Sequence, residues 1–178
     1  HLDGASGLGV GPINDQNECV LGAIDIDEYN LDHAKLVKKL VSLKLNLFPC
    51  RSKSGGMHVY LFSREWVPAA LMRRKLQEIA VALGFGGSEI FPKQDTLAEN
   101  QYGNGINLPY FGSFREEKNR SSNNALLLEE WIKKAVQRRL SVPKFNEWID
   151  WLPRSKSNNT STTKLAAHYE QLKTQSND

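Results

Sequence analysis

The chain has 178 residues, 40% of them hydrophobic, and a formal net charge of +3. That length supports one domain with a sizeable core, or two small modules sharing one, and a single compact unit is the expectation. No apolar run approaches the roughly 20 residues that span a bilayer, which argues against membrane insertion, and the mild positive excess admits an anionic partner without demanding one.

The two cysteines, Cys19 and Cys50, have no companion ligands at zinc spacing, which fits a reducing compartment and a role as small buried residues. The chain opens at His1 inside a segment with glycines at positions 4, 7, 9 and 11, and it reads as a fragment of something larger.

Residues 18–27 form the first strand, and within it Ala23-Ile24-Asp25-Ile26-Asp27 places two carboxylates two positions apart in an apolar run. Side chains alternate in a strand, so Asp25 and Asp27 share one face while Ile24 and Ile26 enter the core. Two like charges this close stay ionised only with a cation between them, and hard oxygen ligands suit Mg²⁺ or Mn²⁺. Asn30 is placed to cap a helix carrying Leu36, Val37, Leu40 and Leu43 at helical spacing and running to about residue 45, where Phe48-Pro49 breaks it. A strand over Cys50 to Lys53, a turn at Gly55-Gly56 and a strand over His58 to Phe62 then make a hairpin.

Pro68 starts the next helix, Ala70 to Leu83, which ends at Gly84, a residue suited to a left-handed cap. Glu89 to Phe91 is a short strand closed by Pro92, and Ile106 to Tyr110 another, with Pro109 pointing to an edge or a strand end. Ala125 to Leu140 is helical, with Lys133, Lys134, Arg138 and Arg139 on its later turns. From Arg154 the composition turns to Ser, Asn and Thr, marking a linker with a short helix over Leu165 to Leu172.

Chemistry concentrates in three clusters: Asp25 with Asp27, Arg51-Ser52-Lys53-Ser54-Gly55-Gly56-Met57-His58, and Glu89-Ile90-Phe91-Pro92-Lys93-Gln94-Asp95. Taken singly each has a bland reading: an exposed strand end, a hairpin turn, a packed histidine. The second reads as a phosphate cradle, in which glycines admit backbone N–H groups, Ser54 adds a hydroxyl, Arg51 and Lys53 neutralise charge and His58 donates from the next strand. Glu89 supplies a third carboxylate and Lys93 a further cation. Three carboxylates ringed by donors make a nucleotidyl-transfer site.

The same residues resemble a family. Asp-hydrophobe-Asp, then Ser-Gly-Gly-x-His-hydrophobe-Tyr, then Glu-hydrophobe-Phe-Pro-Lys-Gln followed by Gly103-Asn104-Gly105-Ile106-Asn107-Leu108-Pro109, looks like the archaeo-eukaryotic primase superfamily, in its primase-polymerase branch. The nearest versions occur in mobile elements, phages and conflict or CRISPR-associated systems, and the lead-in His1-Leu2-Asp3-Gly4 with Leu8-Gly9-Val10-Gly11-Pro12 is similar too. The resemblance covers about residues 1–115.

It implies an α/β (α+β) fold, an α/β module beside a sheet like that of RNA-recognition domains, with the active site in the cleft between them. By the same resemblance residues 1–115 are the catalytic core, 116–153 a helical part of the same domain and 154–178 a polar tail. Asp25, Asp27 and Glu89 would hold two Mg²⁺ or Mn²⁺ ions, and His58, supported by Ser54, Gly55 and Gly56, would bind the triphosphate. Arg51, Lys53, Lys93 and Gln94 would flank the phosphates, with Asn104 and Asn107 nearby. Many members carry serine or another small residue where Gly56 stands, so no side-chain role is carried over there. The zinc-binding stem of replicative primases has no counterpart.

The implied activity is template-directed nucleotidyl transfer, for primer synthesis or DNA extension, in the cytoplasm of a bacterial, archaeal or phage-infected cell. Its partners would be a single-stranded DNA template, a primer strand and dNTPs or NTPs, with a helicase or other replication or CRISPR-related domain outside this segment and no membrane. Two rivals stay open. A metal-dependent nuclease or rolling-circle initiator would need no triphosphate cradle, and the initiator would need paired histidines that His58 lacks. A non-catalytic nucleic-acid-binding module would need basic and aromatic surfaces more than an acidic triad.

Overall fold

The computed structural model describes residues 1–44, 46–52, 54–112, 128–141 and 144. Its elements in chain order are β1 Gly9–Val10, β2 Glu18–Ile26, α1 His33–Ser42, β3 Leu47–Arg51, β4 Met57–Pro68, α2 Ala69–Leu83, β5 Glu89–Phe91, β6 Ile106–Asn107 and α3 Leu128–Gln137. Four of the strands form an antiparallel sheet in the order β3-β4-β2-β5, and β1 pairs with β6 in a separate two-stranded ribbon. The fold is mixed α/β, as the sequence leads one to expect. The expected tail and its short helix lie outside the described residues.

One face of the sheet is sealed by α1 and α2. Ile24, Ile26, Met57, Val59 and Leu61 meet Leu36 and Leu40 of α1 and Met72, Leu76, Ile79 and Leu83 of α2 in one buried cluster. These α2 positions recur every three to four residues, and Gly84 ends the helix with φ +92°, in the left-handed region where glycine carries no steric cost. Gly22 lets α2 approach β2 closely, because a Cβ there would lie 2.6 Å from both Leu76 Cδ1 and Met72 Cγ. A β-bulge between Cys19 and Leu21 reverses the alternation, so that Cys19 and Ile24 reach the same core while Leu21 and Ala23 face the other way.

The opposite face is only partly covered. Trp131 and Ala135 of α3 pack on Phe48, Tyr60, Phe62 and Leu21, and the Trp131 ring meets those of Phe48, Phe62, Tyr110 and Tyr60 edge-on at centroid distances of 5.8, 5.8, 5.9 and 6.4 Å. Past α3, Leu140 bonds back to β4: its N–H reaches the Phe62 carbonyl at 2.9 Å, and Arg64 N–H reaches its carbonyl at 2.8 Å. The helix expected over Ala125 to Leu140 is thus described over Leu128–Gln137 and belongs to the same packed unit. Its first three expected residues lie outside the described set.

Other boundaries moved for identifiable reasons. The α1 cap is Asp32 rather than Asn30, its carboxylate accepting from Lys35 N–H at 3.0 Å. Phe48-Pro49 does not end a helix but sits inside β3, which begins at Leu47; β3 is an edge strand, where a proline without an N–H is tolerated. β4 runs on to Pro68 instead of stopping at Phe62, since Cys19 and Glu18 continue to pair with Val67 and Pro68 beyond the bulge. β6 ends at Asn107, before Pro109.

Candidate active site

The uncovered end of that second face is built by register. Cys50 of β3 lies opposite His58 of β4, His58 opposite Asp25 of β2, and Asp25 opposite Glu89 of β5, so four strands contribute one residue each to a single row on one face. Phe48, Tyr60, Ala23 and Phe91 form the next row and are buried, which gives the polar row an apolar floor on one side. Asp27 lies two residues beyond Asp25, past the end of β2. The strand alternation read from the sequence thus reaches Asp25 but stops short of Asp27, and the two strands beside β2 bring His58 and Glu89 alongside Asp25.

A cavity of about 290 Å³ opens at this end of the sheet. Asp25, Asp27, Arg51, Ser52, Ser54, His58 and Asn107 line it, with Tyr60 and Cys50 from the sheet and Leu8 and Leu108 to Phe111 from the ribbon side. Asp25 and His58 are in contact, Oδ1 to Nε2 at 3.3 Å, with side chains 28% and 12% exposed. The His58 ring is held from behind: its Nδ1 lies 3.1 Å from the Tyr60 hydroxyl, which itself donates to the Asn107 carbonyl at 2.7 Å. Since the phenol spends its proton on Asn107, Nδ1–H is the donor to Tyr60, and Nε2 is the end turned toward Asp25.

The turn between β3 and β4 is closed on itself. Ser52 N–H donates to the Gly56 carbonyl at 3.0 Å and Gly55 N–H to the Ser52 carbonyl at 3.1 Å, so the Gly55 N–H is spent within the turn. The hydroxyls of Ser52 and Ser54 lie 2.9 Å apart, and Ser54 donates to Asp27 Oδ1 at 3.4 Å. Gly55 has φ +98°, and a Cβ on Gly56 would stand 2.2 Å from the Ile26 carbonyl oxygen. Glycine at position 56 is therefore required by the backbone of the turn pressing on the end of β2, a reason independent of any hydroxyl at that position. Lys53 lies outside the described residues.

The third cluster is arranged differently. The Glu89 carboxylate pairs with Lys93, Oε2 to Nζ at 2.7 Å, and neither residue lines the cavity. Lys93 also lies over the Phe91 ring, 5.1 Å from its centroid. Gln94 is engaged by Asn104, its amide nitrogen donating to Asn104 Oδ1 and its oxygen accepting from Asn104 N–H at 3.2 Å, which closes the β5–β6 connection on itself, and neither residue lines the cavity. Among the described residues no three His, Cys, Asp or Glu side chains are gathered closely enough to hold a metal ion as they stand. The donors are nonetheless of the right kind, hard carboxylate oxygens from Asp25 and Asp27 at the cavity and from Glu89 directly across the ladder from Asp25.

Sequence reasoning assigned no role to Ser52 or Tyr60. Tyr60 was within reach of it, because two residues past His58 on a strand is the same face. Burial raises the Tyr60 phenol well above its ordinary range, with Cys50 and Asp25 adding to the effect, so it remains a neutral hydrogen-bonding group. Burial likewise pushes the Cys50 thiol up to about 12, with the Trp131 indole pulling slightly the other way, so this cysteine lines the cavity as an unreactive thiol.

The family described as TOTE conflict system, Archaeo-Eukaryotic Primase domain matches residues 1–126. No curated protein gives a significant match to the chain.

Proposed function

The chain belongs to the archaeo-eukaryotic primase domain family of TOTE conflict systems, a nucleotidyltransferase-related group, and from that premise we infer that it is a template-directed polymerase that transfers nucleotides from dNTPs or NTPs to a 3′-hydroxyl. The observation that carries this reading is one cavity in which the carboxylates of Asp25 and Asp27 face the donors His58, Ser52 and Ser54. Carboxylates that can hold a divalent ion, side by side in one cavity with donors that can bind phosphate oxygens, suit a metal-bound triphosphate better than either a bare phosphodiester or a bare strand.

Asp25 and Asp27 would hold the divalent ions, and Glu89 would join them by turning from Lys93. When bound there, Mg²⁺ or Mn²⁺ supplies neutralisation of the triphosphate and a lower pKa for the attacking hydroxyl. The protein's own part is positioning. In its doubly protonated form His58 directs Nε2–H to a phosphate oxygen while Nδ1–H stays on Tyr60, Arg51 balances phosphate charge at the rim, and the Ser52 and Ser54 hydroxyls orient the chain of phosphates. Single-stranded template and primer would approach across the open end of the sheet.

The test is extension of a primed template by a variant carrying Asp25→Ala and Asp27→Ala. Extension should disappear while the circular-dichroism spectrum and melting temperature stay close to those of the wild type. Persistent extension by the folded double variant would remove the proposal. Running the same assay with labelled DNA and Mn²⁺ but no nucleotides separates cutting from synthesis.

A further inference from the structure

The turn that carries Ser52 and Ser54 is gripped from outside the cavity by a residue with no part in the site. His33, the first residue of α1, places Nε2 2.8 Å from the Gly55 carbonyl. A carbonyl oxygen only accepts, so Nε2 carries the proton and donates. The other ring nitrogen, Nδ1, is buried with no hydrogen-bond partner among the described residues. Burying a polar atom unpaired is unfavourable, and an apolar side chain would fill the same space without that cost. What histidine adds at position 33 is the donor to Gly55.

Gly55 is the residue of the turn with φ +98°, and its own N–H closes the turn on Ser52. Its neighbour Gly56 rests against the Ile26 carbonyl, with no room for a Cβ. The turn is thus located on one side by β2 and on the other by His33, and His33 is itself fixed in place by Asp32, which caps α1 through Lys35 N–H at 3.0 Å. Ser54, one residue from the held carbonyl, donates to Asp27. A connected path of contacts therefore runs from the N-terminus of α1 through the Gly55 carbonyl to the cavity wall.

We propose that His33 is a positioning residue for the triphosphate: its Nε2–H···O=C bond to Gly55 sets the turn so that Ser52 and Ser54 face the cavity. This rests on the reading of the cavity as a triphosphate site. His33 touches neither substrate nor metal, and it acts only through Gly55.

The experiment compares wild type with His33→Leu and His33→Phe, which keep bulk and remove the donor, and with His33→Gln, which restores an N–H at a similar reach. Hydrogen–deuterium exchange of the amides from Ser54 to Met57 reads the grip on the turn without any ligand. Calorimetric titration with dGTP and Mg²⁺ reads its consequence, and binding of a single-stranded oligonucleotide serves as the control. The apolar variants should exchange faster over that stretch and bind dGTP about fivefold more weakly, as expected for one neutral hydrogen bond, with oligonucleotide affinity unchanged. His33→Gln should restore both. Unchanged exchange in the apolar variants, or a folded His33→Gln that restores neither quantity, overturns the proposal. Wild-type protein that binds dGTP while the apolar variants bind it equally well overturns this proposal alone; wild-type protein that binds none overturns the reading of the cavity and this proposal with it.

Discussion

His58 is the side chain whose orientation is most fully determined in the cavity. Tyr60 takes its Nδ1–H and Asn107 takes the Tyr60 proton, so only Nε2 is left to face Asp25 and whatever enters. A charge-assisted bond from that nitrogen to phosphate is worth roughly 1.5–3 kcal/mol, so His58→Ala should raise the nucleotide KM by about tenfold or more with little change in template Kd. Tyr60→Phe keeps the ring and loses the relay, and it should raise the same KM by a smaller factor. Steady-state titration of nucleotide at fixed template measures both, and equal KM values for wild type and His58→Ala would end the assignment. The closeness of Asp25 and Asp27 was legible from their spacing at the end of a strand, whereas the placing of His58 beside Asp25 depends on the β2–β4 register. The place of Gln94 was not legible, because its partner Asn104 lies across the same β5–β6 connection, and no local pattern tells a side chain aimed at phosphate from one aimed across its own loop.

Among the elements, the turn between β3 and β4 is the most constrained. Its sequence announces a hairpin, yet the reason for its second glycine lies in β2, whose Ile26 carbonyl would stand 2.2 Å from an added Cβ. Gly56→Ala should therefore push the turn off the end of β2, destabilising the protein by about 1–3 kcal/mol and weakening nucleotide binding together with it. Thermal melting and nucleotide titration of the one variant check both effects; an unchanged melting temperature would mean the turn moves freely. α2 was readable to within one residue because its apolar spacing and Gly84 agree. β3 was placed three residues late, since a proline reads locally as a breaker and its edge position is decided by strands that follow in the chain. β1 was missed altogether: two residues in a glycine-rich run become a strand only by pairing with β6, far along the chain.

At the scale of the molecule, one sheet serves two purposes. Its α1–α2 face is a sealed core, and its other face is closed by α3 at one end and open at the other, where the cavity lies. The mixed α/β class was legible from the succession of elements, whereas the cavity needed the β1–β6 ribbon and the stretch after it as a wall. Burial also sets the alkaline limit of the fold. Desolvation raises the Cys19 thiol to about 12, with Glu18 adding to it, and the Cys50 thiol to about 12, against an ordinary value of 9.0. Between those values the unfolded chain releases both protons while the folded chain keeps them, so the folded state binds more protons and its stability falls as pH rises. The contribution is intact below pH 9 and is lost progressively toward 12, at up to roughly 1.4 kcal/mol per pH unit for each thiol. Chemical denaturation across that range should show the decline, and substituting both cysteines with alanine should make it shallower, most clearly between about pH 9 and 10, while the buried Tyr60 phenol, also raised, keeps a share of the fall above its ordinary value.

The aromatic cluster under α3 has a further use. Trp131 sits edge-on to Tyr60, and Tyr60 holds the His58 ring, so an indole is two contacts away from the nitrogen that would meet a phosphate. With Trp66, Trp148 and Trp151 replaced by phenylalanine, the emission of the remaining indole becomes an intrinsic optical gauge of occupancy in the cavity, one that needs no attached dye and no turnover.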